Sequence, residues 1–418
     1  MTSTTASPLP ADIGAAIAQA KTALRRQLGD VDGAFAIAEA EMRAEVAAVV
    51  AEREAGRQIW PVVDFEDIAT GSVSDETREA IGRRGCAVVK RTFPRERAED
   101  WDAELAGYTE RNRFAETYQA IDDGVFGGLA AGKPSIYPIY WSLPQTQARQ
   151  DEAMGTVRRF LNGFWNHESL GRTWFDPDRD TAYPDRVRRR APGANSRGLS
   201  PHTDSGSVER WLVPAYQDVF RHVFAGQWSD YDPWDSAYRT DVHEFPSTVM
   251  CSSFRTFQGW TALSDTQPTE GVLHAVPIPA AMGYVLLRAL LDDVAPDDLC
   301  GAVNGQALPI TDRYHGLLLA ALTPIPSVEP GDTVWWHGDL IHSVGAVTNQ
   351  RGWGNVMYIP AAPYCEKNAA YARACGEDFM TGASPGDFAP EDYETSWVGR
   401  ATAQDLTETG RHQLGLDV

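Results

Sequence analysis

The chain has 418 residues, 43% of them hydrophobic and 10% aromatic, which is ample for a large buried core organised as one principal domain with helical additions. A formal charge of −21 argues against nucleic acid or an anionic membrane surface as a partner, since both need clustered Lys and Arg. Five scattered cysteines without a CxxC pair point to neither a disulfide framework nor a zinc knuckle, and no apolar run has the length of a membrane span or signal peptide, so a soluble protein of a reducing cytoplasm is expected.

Residues 1–10 read as disordered, and residues 1–58 as a helical arm. Within it, Ile, Leu, Val and Met recur at helical spacing from Ala11 to about Arg57, broken near Gly29-Asp30, with Gly33 able to extend the break. The arm is expected to pack on the core or on a second copy of the chain. A strand over 60–65, a helix over 75–84, a strand over 86–90 and a helix over 95–112 with Trp101, Leu105 and Tyr108 on one face follow. Residues 124–150 are rich in Gly, Pro and aromatics, and a helix is expected over about 146–166. Arg186, Arg188, Arg189, Arg190 and Arg197 then gather as either a solvated turn or a positive approach to a site.

The run Pro201-His202-Thr203-Asp204-Ser205-Gly206-Ser207-Val208-Glu209-Arg210-Trp211 carries the chemistry. Side chains alternate along an extended backbone, so His202 and Asp204 share one side and can supply two ligands of a two-His-one-carboxylate metal site. An aromatic-rich insertion, about 213–245, comes next and is either a packing element or a lid. Short strands are then expected over 248–257, 259–264, 271–276, 283–287, 317–324, 332–336 and 355–359, separated by turn residues. That pattern fits a mainly β fold with helical additions. A double-stranded β-helix of jelly-roll, cupin-like type is chosen because it brings ligands from its first and last strands to one mouth. The β domain spans 59–363, and 364–418 form a C-terminal helical cap and tail.

His342 is the candidate third ligand, and Arg351 follows nine residues later with a planar fork suited to a dicarboxylate. His337-Gly338-Asp339 is a competing His-x-Asp pair, although its glycine and position after an apolar strand favour a tight turn, with His337 supporting the site rather than binding metal. His222, His243, His274, His315 and His412 carry no assigned role.

With His202, Asp204, His342 and Arg351 in place, the chain resembles the Fe(II)/2-oxoglutarate-dependent oxygenases. The Pro201–Trp211 run, Gly259–Asp265 and Trp336–His342 are more closely similar to a bacterial and fungal family known mainly as a domain of unknown function of that superfamily. The resemblance implies Fe(II) held by His202, Asp204 and His342 and 2-oxoglutarate as co-substrate with Arg351 on its distal carboxylate. It further implies O2 as oxidant, a small-molecule substrate that is hydroxylated, and succinate and CO2 as products. Many superfamily members carry Ser two residues after the Arg. Trp353 stands there, so a second contact to 2-oxoglutarate is assigned to Thr261 or Ser253, with Tyr358 also considered. Two other classes remain open: a zinc hydrolase using the same ligands, in which Arg351 has no purpose, and a non-catalytic cupin-like binding protein. Self-association into a homo-oligomer is allowed by all three.

Overall fold

The computed structural model describes residues 8–118, 135–247 and 251–416; most of the expected disordered start, much of the Gly/Pro-rich segment and the head of the strand expected over 248–257 lie outside them. The arm forms two helices, α1 (Ile13–Leu28) and α2 (Val31–Glu54). Asp12 caps α1 by accepting from the Ala15 N–H, and Gly29 at φ 72° ends it. Asp30 then caps α2 by accepting from the Gly33 N–H, so Gly33 lies inside the first turn of α2 and does not lengthen the break. Ala34, Ala38, Met42, Val46 and Val49 make the buried stripe of α2. Lys21 of α1 is buried with its ammonium donating to the carbonyls of Val294, Ala295 and Asp298, which fastens the arm to the body of the protein.

Two sheets carry the centre. Their strands, in chain order, are β1 (Val62–Asp64), β2 (Cys86–Lys90), β3 (Ile136–Tyr137), β4 (Val187–Arg188), β5 (Leu199–Thr203), β6 (Phe257–Ala262), β7 (Leu273–Ala275), β8 (Leu308–Pro309), β9 (Thr323–Pro324), β10 (Thr333–His337), β11 (His342–Val344) and β12 (Val356–Tyr358). The larger sheet runs β1-β2-β10-β6-β12-β4-β3 and is antiparallel except for the β1–β2 pair; the smaller runs β8-β5-β11-β7-β9 and is antiparallel throughout.

Alternation divides the larger sheet into two faces. Trp260, Ala262, Val334, Trp336 and Val356 pack with Leu273 and Ala275 of the smaller sheet. Phe257, Trp335 and Met357 pack instead with the helices Arg95–Arg111 and Glu152–Asn162, through Trp101, Leu105, Tyr108, Met154, Val157 and Leu161. The sheets are thus packed on one side by one another and on the other by helices.

Three expected strands are absent as such. Residues 283–287 belong to the helix Ala281–Arg288, buried almost all round, and an apolar run of that length carries no periodicity that separates a strand from a fully buried helix. The helix Asp312–Leu319 takes the first part of 317–324 and leaves only Thr323–Pro324 extended. Residues 251–256 reach β6 without strand pairing. The single helix expected over 146–166 is two, Leu143–Arg149 and Glu152–Asn162, because the Asp151 carboxylate accepts from the Ala153 N–H and starts a new helix.

Aromatic residues of the insertion are packed against the arm. Tyr216, Phe220, Phe224 and Trp228 are buried among residues of α1, α2 and the helix Ala281–Arg288, and the Trp228 indole donates to Glu41 of α2 at 2.7 Å. Past the last strand, the helix Glu366–Thr381 is anchored by Asn368, which exchanges hydrogen bonds with the Phe254 backbone. Buried Glu394 accepts from the N–H groups of Tyr140 and Trp141 and from the Tyr108 hydroxyl. Among the described residues no helix is long and apolar enough to cross a membrane.

Candidate metal centre

β5 and β11 are adjacent antiparallel strands of the smaller sheet, and His202 pairs directly with His342 across them. Their rings lie 4.4 Å apart. Each Nδ1–H donates to the carbonyl two residues earlier on its own chain segment, His202 to Ser200 at 2.7 Å and His342 to Leu340 at 3.0 Å. A carbonyl only accepts, so both rings are held as the tautomer whose Nε2 lone pair is free. Both Nε2 atoms face the Asp204 carboxylate, each 3.5 Å from one of its oxygens. Among the described residues this is the one group of three side chains able to share a metal ion, with ligand atoms within 4.8 Å of one another. His202, Asp204 and His342 are brought together although His342 is distant in the chain.

Burial lowers the His202 imidazole to about 4, helped by His342 and opposed by Asp204, so it is neutral near pH 7 and ready to coordinate. Burial pushes the Asp204 carboxyl up, but the groups that face it, the His342 and His202 rings and the Arg255 guanidinium, outweigh that and hold Asp204 below the ordinary carboxylate range.

The turn after Asp204 is built to fix that carboxylate. Ser205 and Gly206 both take positive φ, 61° and 95°. The Tyr216 ring occupies the space a side chain at 206 would fill, and its hydroxyl donates to the Ser205 carbonyl at 2.6 Å. Arg210 donates to the carbonyls of Asp204 and Gly206, both at 3.1 Å, and its other arm reaches Asp339 at 2.9 Å. Arg239 meets the second oxygen of Asp339 at 2.7 Å. Arg210 was visible inside the Pro201–Trp211 run, but its role depends on Asp339, which only the folded chain brings near.

The competing pair is structural. His337 donates from Nε2 to the Pro233 carbonyl, accepts the Asp339 N–H at Nδ1 and stacks on Trp165 at 4.5 Å. Asp339 is committed to two guanidiniums, so neither residue is free for metal.

The residues expected to hold a dicarboxylate fall out differently. Arg351 is exposed in the bend before β12. Thr261 pairs with Thr333 and Met357 and so projects to the helix-covered face of the larger sheet, away from the metal triad, because residues of a strand alternate between faces. Ser253 is buried in the segment leading to β6, two residues before Arg255. Tyr358 does face the space between the sheets, beside Trp260. Its neighbours are the arginine run: Arg188 pairs with Val356, and Arg186 accepts the Tyr358 N–H at its carbonyl. Arg188, Arg189 and Arg190 are buried and Arg186 half-buried, so these four form neither a solvated turn nor an open approach, whereas Arg197 is exposed. Arg188 donates to the Gly354 carbonyl and Arg190 to those of Glu270 and Gly271, with no ion pair between either and a described carboxylate. On the same face, the Gln258 amide nitrogen and the Trp336 indole N–H, on paired strands, are buried without an acceptor, and Trp336 lies 5.4 Å from His342.

Comparison with known proteins follows the same lines. A family model described as Gig2-like matches residues 8–416. The uncharacterized protein YbiU of Escherichia coli strain K12 is 56% identical over 416 residues, covering 99% of each chain. The crystal structure of a protein from Salmonella typhimurium LT2, provisionally described as an oxidoreductase, superposes with a TM-score of 0.95 at 55% identity over 98% of each chain. GlcNAc Inducible Gene 2 of Candida albicans, at 26% identity, superposes with a TM-score of 0.80 over 98% of this chain and 90% of its own.

Proposed function

The chain belongs to the Gig2-like family, and we propose that it is a non-heme Fe(II)- and 2-oxoglutarate-dependent oxygenase of a small molecule, with its two sheets forming a cupin-like double-stranded β-helix. One observation carries this reading: His202 Nε2, His342 Nε2 and the Asp204 carboxylate converge on one point, each imidazole pre-set by its own backbone carbonyl. Two imidazoles and one carboxylate on one side of an ion suit Fe(II) and leave its other side open. The donors without acceptors at Gln258 and Trp336 fit an oxygen-rich ligand beside that open side.

Bound there, Fe(II) with 2-oxoglutarate supplies oxidative decarboxylation to succinate and CO2 coupled to hydroxylation of a C–H bond. The chain's own part is to bind and orient. Arg188, buried on β4, and half-buried Tyr358, on β12, take the distal carboxylate of 2-oxoglutarate in place of exposed Arg351. A guanidinium with no carboxylate of its own is suited to that task. Trp336 and Trp260 form an apolar wall that keeps water from the metal triad.

The test is anaerobic titration with Fe(II) and 2-oxoglutarate, following the weak visible charge-transfer band of the chelate. The band is expected in wild type, lost in His202→Ala, shifted to much higher 2-oxoglutarate in Arg188→Gln, and little changed in Arg351→Ala. Absence of the band from iron-loaded wild type overturns the assignment. A shift in Arg351→Ala alone would move the carboxylate contact back to residue 351.

A further inference from the structure

Beside the turn that carries Asp204 lies a further buried guanidinium, that of Arg255. Arg255 is 7% exposed, in the short segment between Cys251 and β6. One Nη donates to the Ser205 hydroxyl at 3.0 Å, immediately beyond the Asp204 ligand, and the guanidinium lies over the Tyr183 ring at 5.3 Å. Its Nε–H is buried with no partner, and it forms no ion pair with a described carboxylate. A permanent charge held this way is costly unless an anion completes it.

The surrounding groups do not supply that anion. Burial raises the Cys251 thiol to about 12 and keeps it neutral. Burial likewise raises the Tyr183 phenol, which spends its proton on Asp387 at 3.0 Å. Asp387 also accepts the Ser252 N–H, and Glu244 is neutralised by Lys367 at 3.0 Å. Two carboxylates reach Arg255 through charge alone: Asp204, a member of the candidate metal triad, and Asp185, which is paired with Arg186 at 3.3 Å. What remains is a buried cation facing the metal's neighbourhood, with Tyr183 stacked on Tyr371 as an aromatic wall beside it.

We infer that Arg255 is the recognition residue for an oxyanion carried by the organic substrate, so that the substrate class is a small carboxylate- or sulfate-bearing molecule held by its charged end against Arg255 and its body against Tyr183. Binding is non-covalent. Calling the anion's owner the substrate rests on the oxygenase reading; the anion site itself does not.

Equilibrium dialysis of the full chain loaded with Co(II), using labelled sulfate as probe and acetate as competitor, tests it. Wild type and Arg188→Gln are expected to bind sulfate alike. Arg255→Gln should bind it at least about tenfold more weakly, as expected for losing a charge-assisted contact, while Arg255→Lys retains measurable binding. Displacement by acetate at lower concentration than sulfate's own would identify a carboxylate as the preferred anion, and failure to displace would identify a sulfate. Equal binding by wild type and Arg255→Gln, no binding by wild type, or a loss that follows Arg188→Gln overturns the inference. Because Arg255→Gln could fail to fold, sulfate-soaked wild-type crystals give a second reading: sulfate density against the Arg255 guanidinium is expected, and density elsewhere or none is fatal to the proposal. Failure of the oxygenase reading is separate, since loss of the 2-oxoglutarate band leaves sulfate binding at Arg255 intact.

Discussion

The Tyr216 hydroxyl donates to the carbonyl of Ser205, the residue that follows the metal-site carboxylate, at 2.6 Å. A residue of the aromatic-rich insertion therefore holds the turn on which Asp204 sits. Ser205 keeps its left-handed backbone, which costs about 1–3 kcal/mol for a residue other than glycine, against this bond and those of Arg210. Tyr216→Phe should lower stability by about 1 kcal/mol and weaken divalent-metal binding by roughly tenfold. Co(II) titration beside a urea melt reads both; an unchanged metal affinity would mean the turn holds without the phenol.

Asp339 neutralises two buried guanidiniums, of Arg210 and Arg239. Asp339→Ala leaves both charges buried and unpaired, which should cost about 3–5 kcal/mol. Arg210 also donates to the Asp204 carbonyl, so metal affinity should fall with stability. A variant as stable as wild type in urea would show that water reaches and solvates the two arginines.

The sign of one pH effect follows from His337. Burial lowers its imidazole to about 3, against about 6.5 in the unfolded chain. Below pH 6.5 the unfolded chain takes up a proton that the native state refuses. Stability conferred by neutral His337 is thus complete above pH 6.5 and lost as the pH falls towards 3. Measured as the difference from His337→Gln, which cancels the other titrating groups, wild type should lose its advantage across that window, on the order of a few kcal/mol. A difference constant from pH 7 to 4 would contradict the burial.

A side chain at Gly198 would run into the Val344 carbonyl, in a backbone with φ 74°, where β5 and β11 meet through Leu199 and Val344. Gly198→Ala should cost about 1–3 kcal/mol and splay the strands that carry His202 and His342. Weaker Co(II) binding in a variant that still folds is the expected signature, and wild-type binding would place the strain elsewhere.

Removing metal from the loaded protein should lower its stability by the binding linkage, about 2.7 kcal/mol when metal had stood at a hundred times its dissociation constant. His202→Ala should show no such dependence. Thermal melts with and without a chelator decide it.

Much of the site was legible because it is written locally. His202 and Asp204 are two apart on an extended segment, a relation fixed by the pleat alone, and His342 needed only to be named as distant. Arg351 shows what such reading leaves out. Spacing along the chain marks a position but not its exposure, and the bend before β12 turns Arg351 outward while Arg188, on the neighbouring strand, is buried. The placement of Thr261 was hidden for a related reason, since the face of β6 it occupies depends on which of its alternating sets packs against Trp335 and Met357. The helix Ala281–Arg288 was hidden by burial on nearly every side, which erases the polar stripe that marks a helix.

The carbonyl latch on each imidazole gives the site an order of assembly. Ser200 sets His202 and Leu340 sets His342, so either ring can be aimed before the other is near. What must then happen is a single long-range closure, the meeting of β5 with β11, which is slow by comparison with local contacts. On the proposed reading, metal capture would be a clock for the smaller sheet: an ion added during refolding should be taken up only once that sheet has zipped, and its uptake would report the moment at which the distant halves of the chain find one another.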